Sequence, residues 1–359
     1  MIQRKLTRQI KVRNIPIGGN APIPIQSMTN TPTHEIEATL KQIQALVNAG
    51  CELVRISVPD QNAAEAFMKI RRQTDIPLVA DIHFQYRLAI AAIEGGADKI
   101  RINPGNIGSK KRVKTVVDAA KYANIPIRIG VNSGSLEKDL LTKYGSPTPE
   151  ALVDSALRYI AMMEHFSFYN FILSIKATNV VYTVKACELL SEKCDYPQHI
   201  GITESGTIRS GTIRSSVGLG ILLAKGIGDT LRISLSGDPV KEIYVAKEIL
   251  KSLDLAAGPI VIACPTCSRT SIDVAIMAEK VEAMISDVEM PIKIAVMGCV
   301  VNGPGEAREA DIGIAGGNQD GILFMHGKKI KRIPKECLLD ALRAHISTLL
   351  EDGKNSLGT

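Results

Sequence analysis

Residues 53–58, Leu53-Val-Arg-Ile-Ser-Val58, form a short β-branched apolar run that contains a single arginine. Such a run, followed by a polar turn and an amphipathic segment, recurs through the first two-thirds of the chain. The other runs lie at residues 23–27, 78–82, 99–103, 126–131, 171–176, 200–204 and 230–235. A strand with its crossover helix and loops needs about 30 residues, so the spacing of the runs predicts repeated β/α units.

Candidate helices fill the gaps between these runs, for example at residues 35–48, 62–73, 110–122, 149–164 and 239–252. Eight such units predict a closed (β/α)8 TIM barrel. The competing interpretation is an open doubly wound sheet, which usually has fewer strands and a glycine-rich first turn that this chain lacks. The long gap after residue 131 predicts an extra loop or short helix at the barrel mouth.

The composition fits an α/β protein that binds a small anionic ligand. Trp is absent and aromatic residues make up 4% of 359 residues, so Ile, Val, Leu and Ala must fill the cores, as in helix-covered parallel sheets. A formal net charge of +6 is too mild to indicate nucleic acid. No stretch has the length and apolarity of a membrane span or signal peptide. Seven cysteines, an odd number, favour a reducing compartment, so we expect a cytoplasmic protein.

The segment Leu255-Ala-Ala-Gly-Pro259 predicts a boundary between a substrate-binding barrel at residues 1–256 and a smaller α/β domain at residues 259–359. In the second domain we predict strands at 260–263 and 292–297, helices at 271–285 and 335–350, and short β segments at 311–314 and 322–326. Residues 328–332, Lys-Lys-Ile-Lys-Arg, are assigned to a solvated loop or strand end.

Three cysteines follow the first two strands of this domain, as Cys264-Pro-Thr-Cys267 and Gly298-Cys299. Thiols at adjacent strand ends can converge on a metal, and the turn predicted after Cys299 can bring Glu306 back towards it. A structural zinc site needs four protein ligands, and Glu306 or His326 could complete one. An iron–sulfur cluster could be completed by Cys337 or by Glu306, and a redox disulfide within the first pair is a further alternative. We favour Glu306, because a carboxylate is a more exchangeable ligand than a thiolate.

Four barrel strands carry an arginine between apolar neighbours: Arg55, Arg101, Arg128 and Arg232. Side chains alternate faces along a strand, and an arginine facing a covering helix would be buried at high cost. We therefore expect all four to point into the barrel, near the C-terminal mouth where barrel active sites lie. Guanidinium groups bind phosphate oxygens through paired charge-assisted hydrogen bonds, which predicts a phosphate or diphosphate site. The alternative is a network of ion pairs with Asp81 and Glu204.

Further polar residues at or past the strand ends are candidates for the same cavity. They are Asp81, His83, Asn132, Lys176, Glu204 and Ser234. We favour a phosphate contact for Lys176; a desolvated Schiff-base lysine would instead indicate a lyase or aldolase with a structural zinc domain. Glu204 is either a general acid or base or an arginine partner. For Asp81 and His83 we favour substrate hydrogen bonding over metal binding.

Six motifs together resemble a known family. They are Gln26-Ser-Met-Thr-Asn-Thr31, Val54-Arg-Ile-Ser-Val-Pro-Asp60, Ala80-Asp-Ile-His-Phe84, Ile102-Asn-Pro-Gly-Asn-Ile-Gly108, Arg128-Ile-Gly-Val-Asn132 and Gly298-Cys-Val-Val-Asn-Gly-Pro-Gly-Glu306. In this order they resemble the 4-hydroxy-3-methylbut-2-enyl diphosphate synthases, iron–sulfur reductases of the non-mevalonate isoprenoid pathway. The resemblance extends from about residue 12 to residue 350 and implies the bacterial two-domain form, whose cluster domain is similar to that of sulfite and nitrite reductases.

The resemblance implies reductive ring opening and dehydroxylation of 2-C-methyl-D-erythritol 2,4-cyclodiphosphate, with two electrons supplied by flavodoxin or ferredoxin. It also implies a homodimer in which each cluster domain caps the barrel of the partner. Its residue assignments are as follows: a [4Fe–4S] cluster on Cys264, Cys267, Cys299 and Glu306; diphosphate on Arg55, Arg101, Arg128 and Lys176, with Asn132 and Ser234 beside it; and the reacting end near Asp81, His83, Glu204 and Asn302.

Overall fold

The computed structural model describes residues 2–300, 305 and 307–356, with the backbone alone for residues 351–356. The chain divides into two compact units, Met1–Ala256 and Ala257–Thr359. Each unit has a hydrophobic core of its own. No helix in the described part of the chain has the length and apolarity to cross a lipid bilayer.

The first unit is a barrel of eight parallel strands preceded by an antiparallel hairpin. The hairpin strands are β1 (Ile10–Val12) and β2 (Ile15–Ile17). The barrel strands are β3 (Gln26–Met28), β4 (Leu53–Ser57), β5 (Leu78–Asp81), β6 (Lys99–Ile102), β7 (Ile127–Asn132), β8 (Phe171–Lys176), β9 (His199–Ile200) and β10 (Thr230–Leu231). Strands β3 to β8 pair in chain order and β9 pairs with β10. Bridges from Leu173 to Gln198 and from Ile25 to Leu231 close the ring, which confirms the predicted barrel.

Helices cover the outside of this ring. They are α1 (Ile36–Asn48), α2 (Gln61–Arg71), α3 (Tyr86–Glu94), α4 (Pro104–Ile107), α5 (Lys110–Tyr122), α6 (Lys138–Tyr144), α7 (Pro149–His165), α8 (Val180–Lys193), α9 (Ile208–Ala224) and α10 (Val240–Ser252). Outward strand residues such as Val54 and Ile56 are fully buried beneath them, and each such side chain stabilises the fold by about 1.5–3 kcal/mol. Helix α2 is capped by Asp60, whose carboxylate accepts a hydrogen bond from the Ala63 N–H, as expected of an N-cap.

The hairpin closes the N-terminal end of the barrel with apolar side chains. Ile10, Val12 and Ile17 pack in one cluster with three residues that point into the barrel from its strands. Those three are Leu53, Val79 and Ile172. The sequence patterns do not reveal this hairpin, because strands of three residues are too short to show a period. The polar interior of the barrel therefore lies above an apolar floor.

Strands β9 and β10 end earlier than predicted. The run predicted at 200–204 pairs at His199–Ile200, and the run at 230–235 pairs at Thr230–Leu231. Glu204 has a φ of +50°, a left-handed conformation that cannot continue a strand. The polar residues after both strands consequently lie on loops at the barrel mouth.

Within the described residues, the second unit is a five-stranded sheet with two long helices. Its strands are β11 (Ile260–Ala263), β12 (Lys293–Met297), β13 (Ile312–Ala315), β14 (Asp320–Met325) and β15 (Lys328–Pro334), and its helices are α11 (Val274–Met284) and α12 (Leu338–Ser356). The sheet order is β11-β12-β13-β14-β15. Strands β11 to β13 are parallel, and β14 is antiparallel to both of its neighbours. The assignment of residues 328–332 to a loop or strand end is wrong, because they form the edge strand β15.

Candidate active site

One buried carboxylate organises the upper interior of the barrel. Asp81 on β5 lies between Arg55 on β4 and Arg101 on β6, with nitrogen-to-oxygen distances of 3.7 Å and 3.3 Å. The Nε2 of His83 lies 3.2 Å from the same carboxylate. Burial alone would raise the pKa of Asp81, but Arg55, the hydrogen bond from His83 and Arg101 together hold that pKa well below its usual range. Asp81 is therefore an anion that fixes two of the four arginines.

A second carboxylate, which the sequence analysis missed, fixes Arg232. Glu242 on α10 is 3% exposed, and its two carboxylate oxygens lie 3.4 Å from Nε and Nη2 of Arg232. It also accepts hydrogen bonds from the Ser27 hydroxyl and the Leu235 N–H. The sequence does carry one signal for Glu242, because it lies in the first turn of the helix that follows an arginine-bearing strand. Arg232 is thus a structural residue, paired with Glu242 and not with the Asp81 or Glu204 that the sequence suggested.

Arg128 and Lys176 differ from these pairs, since neither has a carboxylate partner within the described residues. Arg128 is 2% exposed, and its Nε and Nη1 have no hydrogen-bond partner in this part of the chain. Lys176 is 7% exposed. Burial, and then the charge of neighbouring arginines, lowers the pKa of both groups. Uncompensated buried cations are destabilising by several kcal/mol each, so this arrangement is suited to receiving an anion.

Two glycines leave room for the cationic groups. A Cβ on Gly130 would lie 2.9 Å from Nε and Nη2 of Arg101, and a Cβ on Gly201 would lie 2.5 Å from Nζ of Lys176. Both distances are shorter than side chains tolerate. A larger residue at position 130 would displace the Arg101 guanidinium, and one at position 201 would meet both Lys176 and the Arg232 carbonyl oxygen, which also lies 2.5 Å from the Cβ position. The absence of a side chain at these two positions is therefore part of the site.

Gly130→Ala should weaken the binding of inorganic pyrophosphate, because the new methyl group displaces the Arg101 guanidinium. Loss of one charge-assisted hydrogen bond is worth about 1.5–3 kcal/mol, or at least about 10-fold in affinity. Isothermal titration of the purified protein measures the effect. Gly134→Ala is the matched control, because nothing lies within 4 Å of a Cβ at that position. Equal affinities of the two variants would refute a role for Gly130.

The remaining predicted residues lie around the mouth. In the orientation of the Asn132 amide that lets its nitrogen donate to the Val131 carbonyl oxygen, its oxygen accepts a hydrogen bond from Arg101 Nη2 at 3.1 Å. Ser234 is half-buried, and its carbonyl oxygen accepts a hydrogen bond from the Ser205 hydroxyl. Glu204 is exposed, and its carboxylate accepts a hydrogen bond from the Thr178 hydroxyl at 3.2 Å. No arginine lies within ion-pair distance of Glu204 among the described residues, so it is not the arginine partner considered from the sequence.

A deeper polar layer was also missed. Lys99, His199 and Gln26 are buried inside the barrel, and their side-chain nitrogens and the Gln26 oxygen have no partner in the described structure. Burial and then the charge of Arg128 lower the pKa of Lys99 and His199. Lys99 precedes Arg101 by two residues on the same strand face, so the alternation that located the arginine could have located the lysine.

The three cysteines lie at one end of the sheet in the second unit. Cys264 directly follows β11, and its Sγ accepts a hydrogen bond from the Gly298 N–H at 3.1 Å. Cys299 lies just past β12, the parallel neighbour of β11. Cys267 is exposed, and a backbone hydrogen bond from Arg269 is the main cause of its lowered pKa. No three Cys, His, Asp or Glu side chains among the described residues lie close enough together to hold a metal ion.

The proposed fourth ligand of this site is not described. Asn302 and Glu306 both lie outside the described residues. His326 follows β14, whose last residue Met325 pairs with Ile312 at the start of β13. That places His326 at the opposite end of the sheet from the thiols, which argues against the zinc site completed by His326. Cys337 is exposed and precedes α12.

Family profiles match both units of the chain. That of the GcpE TIM-barrel domain matches residues 7–247, and that of the GcpE protein C-terminal domain matches residues 260–348. The chain belongs to the GcpE family. Its barrel and its cysteine-bearing sheet are thus the two GcpE domains in order, and the resemblance found in the sequence is confirmed.

Curated GcpE relatives match over nearly their full length. A protein of Caldanaerobacter subterraneus subsp. tengcongensis is 56% identical over 350 residues, covering 97% of this chain and 99% of the relative. One of Shouchella clausii is 55% identical over 352 residues, covering 98% and 96%. Both are named 4-hydroxy-3-methylbut-2-en-1-yl diphosphate synthase (flavodoxin).

Among solved structures, the GcpE barrel is similar to dihydropteroate synthase from Stenotrophomonas maltophilia. The TM-score is 0.51 at 14% sequence identity, over 69% of this chain and 98% of that one. At this identity the likeness shows the barrel fold alone.

Proposed function

We propose that this GcpE protein is a 4-hydroxy-3-methylbut-2-en-1-yl diphosphate synthase. It opens the ring of 2-C-methyl-D-erythritol 2,4-cyclodiphosphate and removes one hydroxyl as water, using two electrons. The observation that carries the proposal is the buried pair Arg128 and Lys176, which lack a carboxylate partner among the described residues, in a chain whose relatives bear that name.

The diphosphate group supplies the negative charge that Arg128 and Lys176 lack. Arg55 and Arg101 share Asp81 and keep further N–H groups for phosphate oxygens, while Asn132 adds a neutral amide at the mouth. When the ring opens at carbon, negative charge develops on the departing phosphate oxygen. Cations already fixed around it stabilise that charge without reorganising, which lowers the barrier.

Ser234, Asp81 and His83 complete the proposed substrate site. Ser234 is half-buried beside the mouth and is assigned a phosphate contact. Asp81 fixes the two arginines, and the His83 ring, 48% exposed, is held against the Asp81 carboxylate with its outer face free for substrate. The roles of His83 and Asp81 at the reacting end stay predictions.

The donor set in the second unit fits the [4Fe–4S] cluster implied by the family resemblance. Three thiols at or just beyond the ends of two adjacent strands are soft ligands, and the Gly298 N–H already donates to the Cys264 sulfur, as expected of cluster sites. The lowered pKa of Cys267 favours the thiolate that iron requires. Glu306 is the proposed fourth ligand, with Asn302 beside the substrate. Bound there, the cluster would supply the two electrons one at a time.

The proposed assembly has three further parts. Flavodoxin is the proposed electron donor, because the relatives' names specify it, and ferredoxin is the alternative. A homodimer in which each cluster domain caps the partner's barrel follows from the family resemblance, and sedimentation of the purified protein tests the dimer. The proposed location is the cytoplasm, where reduced thiols persist.

Glu204→Gln should lower kcat about 100-fold and leave the visible spectrum of the cluster unchanged. Glu204 lies at the mouth with its carboxylate held by Thr178, so we assign it the proton that leaves with the hydroxyl as water. Turnover under anaerobic conditions, with spectra of the same samples, measures both effects. Glu150→Gln, an exposed glutamate on α7, is the control. Unchanged kcat in the Glu204 variant would remove Glu204 from the proton path.

The function itself is tested on protein purified without oxygen. We expect about four iron and four acid-labile sulfide per chain, and conversion of the cyclic diphosphate with reduced flavodoxin. One zinc, no sulfide and a borohydride-trapped adduct at Lys176 would overturn the proposal in favour of the Schiff-base lyase.

A further inference from the structure

The edge strand β15 and the turn after it carry a strip of exposed basic side chains. The strip, here called the basic edge, consists of Lys328, Lys329, Lys331, Arg332 and Lys335. Of the seven residues in β15, one, Ile333, is buried. None of the five cations is in an ion pair within the described residues. The basic edge is therefore a positive surface that has no ion-pairing carboxylate among the described residues.

Charged side chains on an edge strand can serve only to prevent pairing with other sheets. In this sheet, however, only one of the two edge strands is charged. The opposite edge strand, β11, has the sequence Ile-Val-Ile-Ala and carries no charge. The positive charge is thus concentrated on one edge of a sheet whose other edge lacks it. A protective role alone does not account for that asymmetry.

The strand register places one end of the basic edge at the end of the sheet that carries the thiols, across the sheet from β11. Met297 on β12 pairs with Ala315, Ala315 pairs with Ile322, and Ile322 pairs with Arg332. Arg332 is thus three strand spacings, about 14 Å, from Met297, and Met297 precedes Cys299 by two residues. Because β15 runs parallel to β12, Arg332 and Lys335 lie towards the same end of the sheet as the cysteines.

We propose that the basic edge is the docking surface for the electron donor, a small acidic redox protein that presents carboxylates around its redox group. The inference rests on the proposed function, because a cluster in this unit has to be reduced by a protein partner. Opposite charges steer association and orient the encounter, and a polar surface allows rapid dissociation after each electron. In each encounter the reduced carrier loses one electron and the cluster gains it, so two encounters serve one turnover.

The test reverses two charges, in the variant Lys331→Glu/Arg332→Glu, within cluster-loaded full-length protein. The kcat/KM for reduced flavodoxin should fall at least about 10-fold, because electrostatic steering changes association rates by 10-fold or more. Its dependence on salt concentration should become weaker. Turnover driven by methyl viologen, which needs no docking surface, and the KM for the cyclic diphosphate should stay at the wild-type values.

The matched control is Lys41→Glu/Lys193→Glu, which changes the net charge equally at two exposed lysines on α1 and α8. Equal losses in both variants, or a wild-type kcat/KM in the β15 variant, would overturn the docking proposal. Direct titration of flavodoxin into each variant, followed as a function of salt, gives a readout that does not depend on turnover. Absence of methyl viologen turnover in the wild-type protein would instead refute the proposed function, while the titration would still decide the docking surface.

Discussion

Cys264→Ala protein should be isolated without its cluster and should show no measurable conversion of the cyclic diphosphate. Cys264 is held at the end of β11 with its sulfur hydrogen-bonded to the Gly298 N–H, so an alanine removes a thiolate that is already positioned. Iron and sulfide analysis with visible spectra of anaerobically purified protein measures the loss.

The barrel should be unaffected by this substitution, because each unit has its own hydrophobic core. Binding of pyrophosphate to the Cys264→Ala protein should therefore match that of the wild type. Cys337→Ala is the matched control, since Cys337 is an exposed cysteine of the same unit, and it should keep its iron and colour. A colourless Cys337→Ala protein would restore the alternative in which Cys337 completes the cluster.

Arg128→Met should lower the affinity for pyrophosphate at least about 100-fold, because two charge-assisted hydrogen bonds are lost at about 1.5–3 kcal/mol each. The same substitution should leave the melting temperature unchanged or raise it. Arg128 is buried, and its Nε and Nη1 lack partners within the described structure, so methionine removes a desolvated charge without leaving a carboxylate behind. Calorimetric titration and thermal unfolding of the ligand-free protein measure the two effects.

Arg232→Met should have the opposite effect on the melting temperature from Arg128→Met. Removing the Arg232 guanidinium leaves the buried Glu242 carboxylate without its cation, which should destabilise the fold by roughly 3–5 kcal/mol. Opposite shifts in melting temperature would therefore separate an arginine kept for ligand binding from one kept for structure. A large loss of stability in the Arg128 variant would contradict the assignment of Arg128 as a ligand-binding residue.

Much of the fold was predictable because it depends on local patterns. Helix α5 occupies residues 110–122 and strand β8 occupies residues 171–176, both as predicted. The hairpin β1–β2 and strand β15 were not predicted, for opposite reasons. The hairpin strands are too short for a period, and β15 has exposed residues on both faces, so its sequence lacks the alternation that marks a half-buried strand.

The candidate site was predictable in its residue types and less so in its pairings. The alternation of faces located Arg55, Arg101 and Arg128 inside the barrel, and two of these do meet Asp81. The role of Glu242 as partner of Arg232 was missed, because Glu242 reaches the site from the helix that follows β10 and carries no motif.

Local sequence patterns were sufficient to predict the repeat of strand and helix, the inward face of each arginine and the position of the three thiols after two strands. These features depend on side-chain alternation and chain spacing, which act over a few residues. Which arginines have a carboxylate partner depends on long-range packing, since ring closure brings residues more than 200 positions apart, such as Ser27 and Glu242, into contact. That packing left Arg128 and Lys176 without a carboxylate among the described residues, and that imbalance of charge across the closed barrel is what suits it to an anionic substrate.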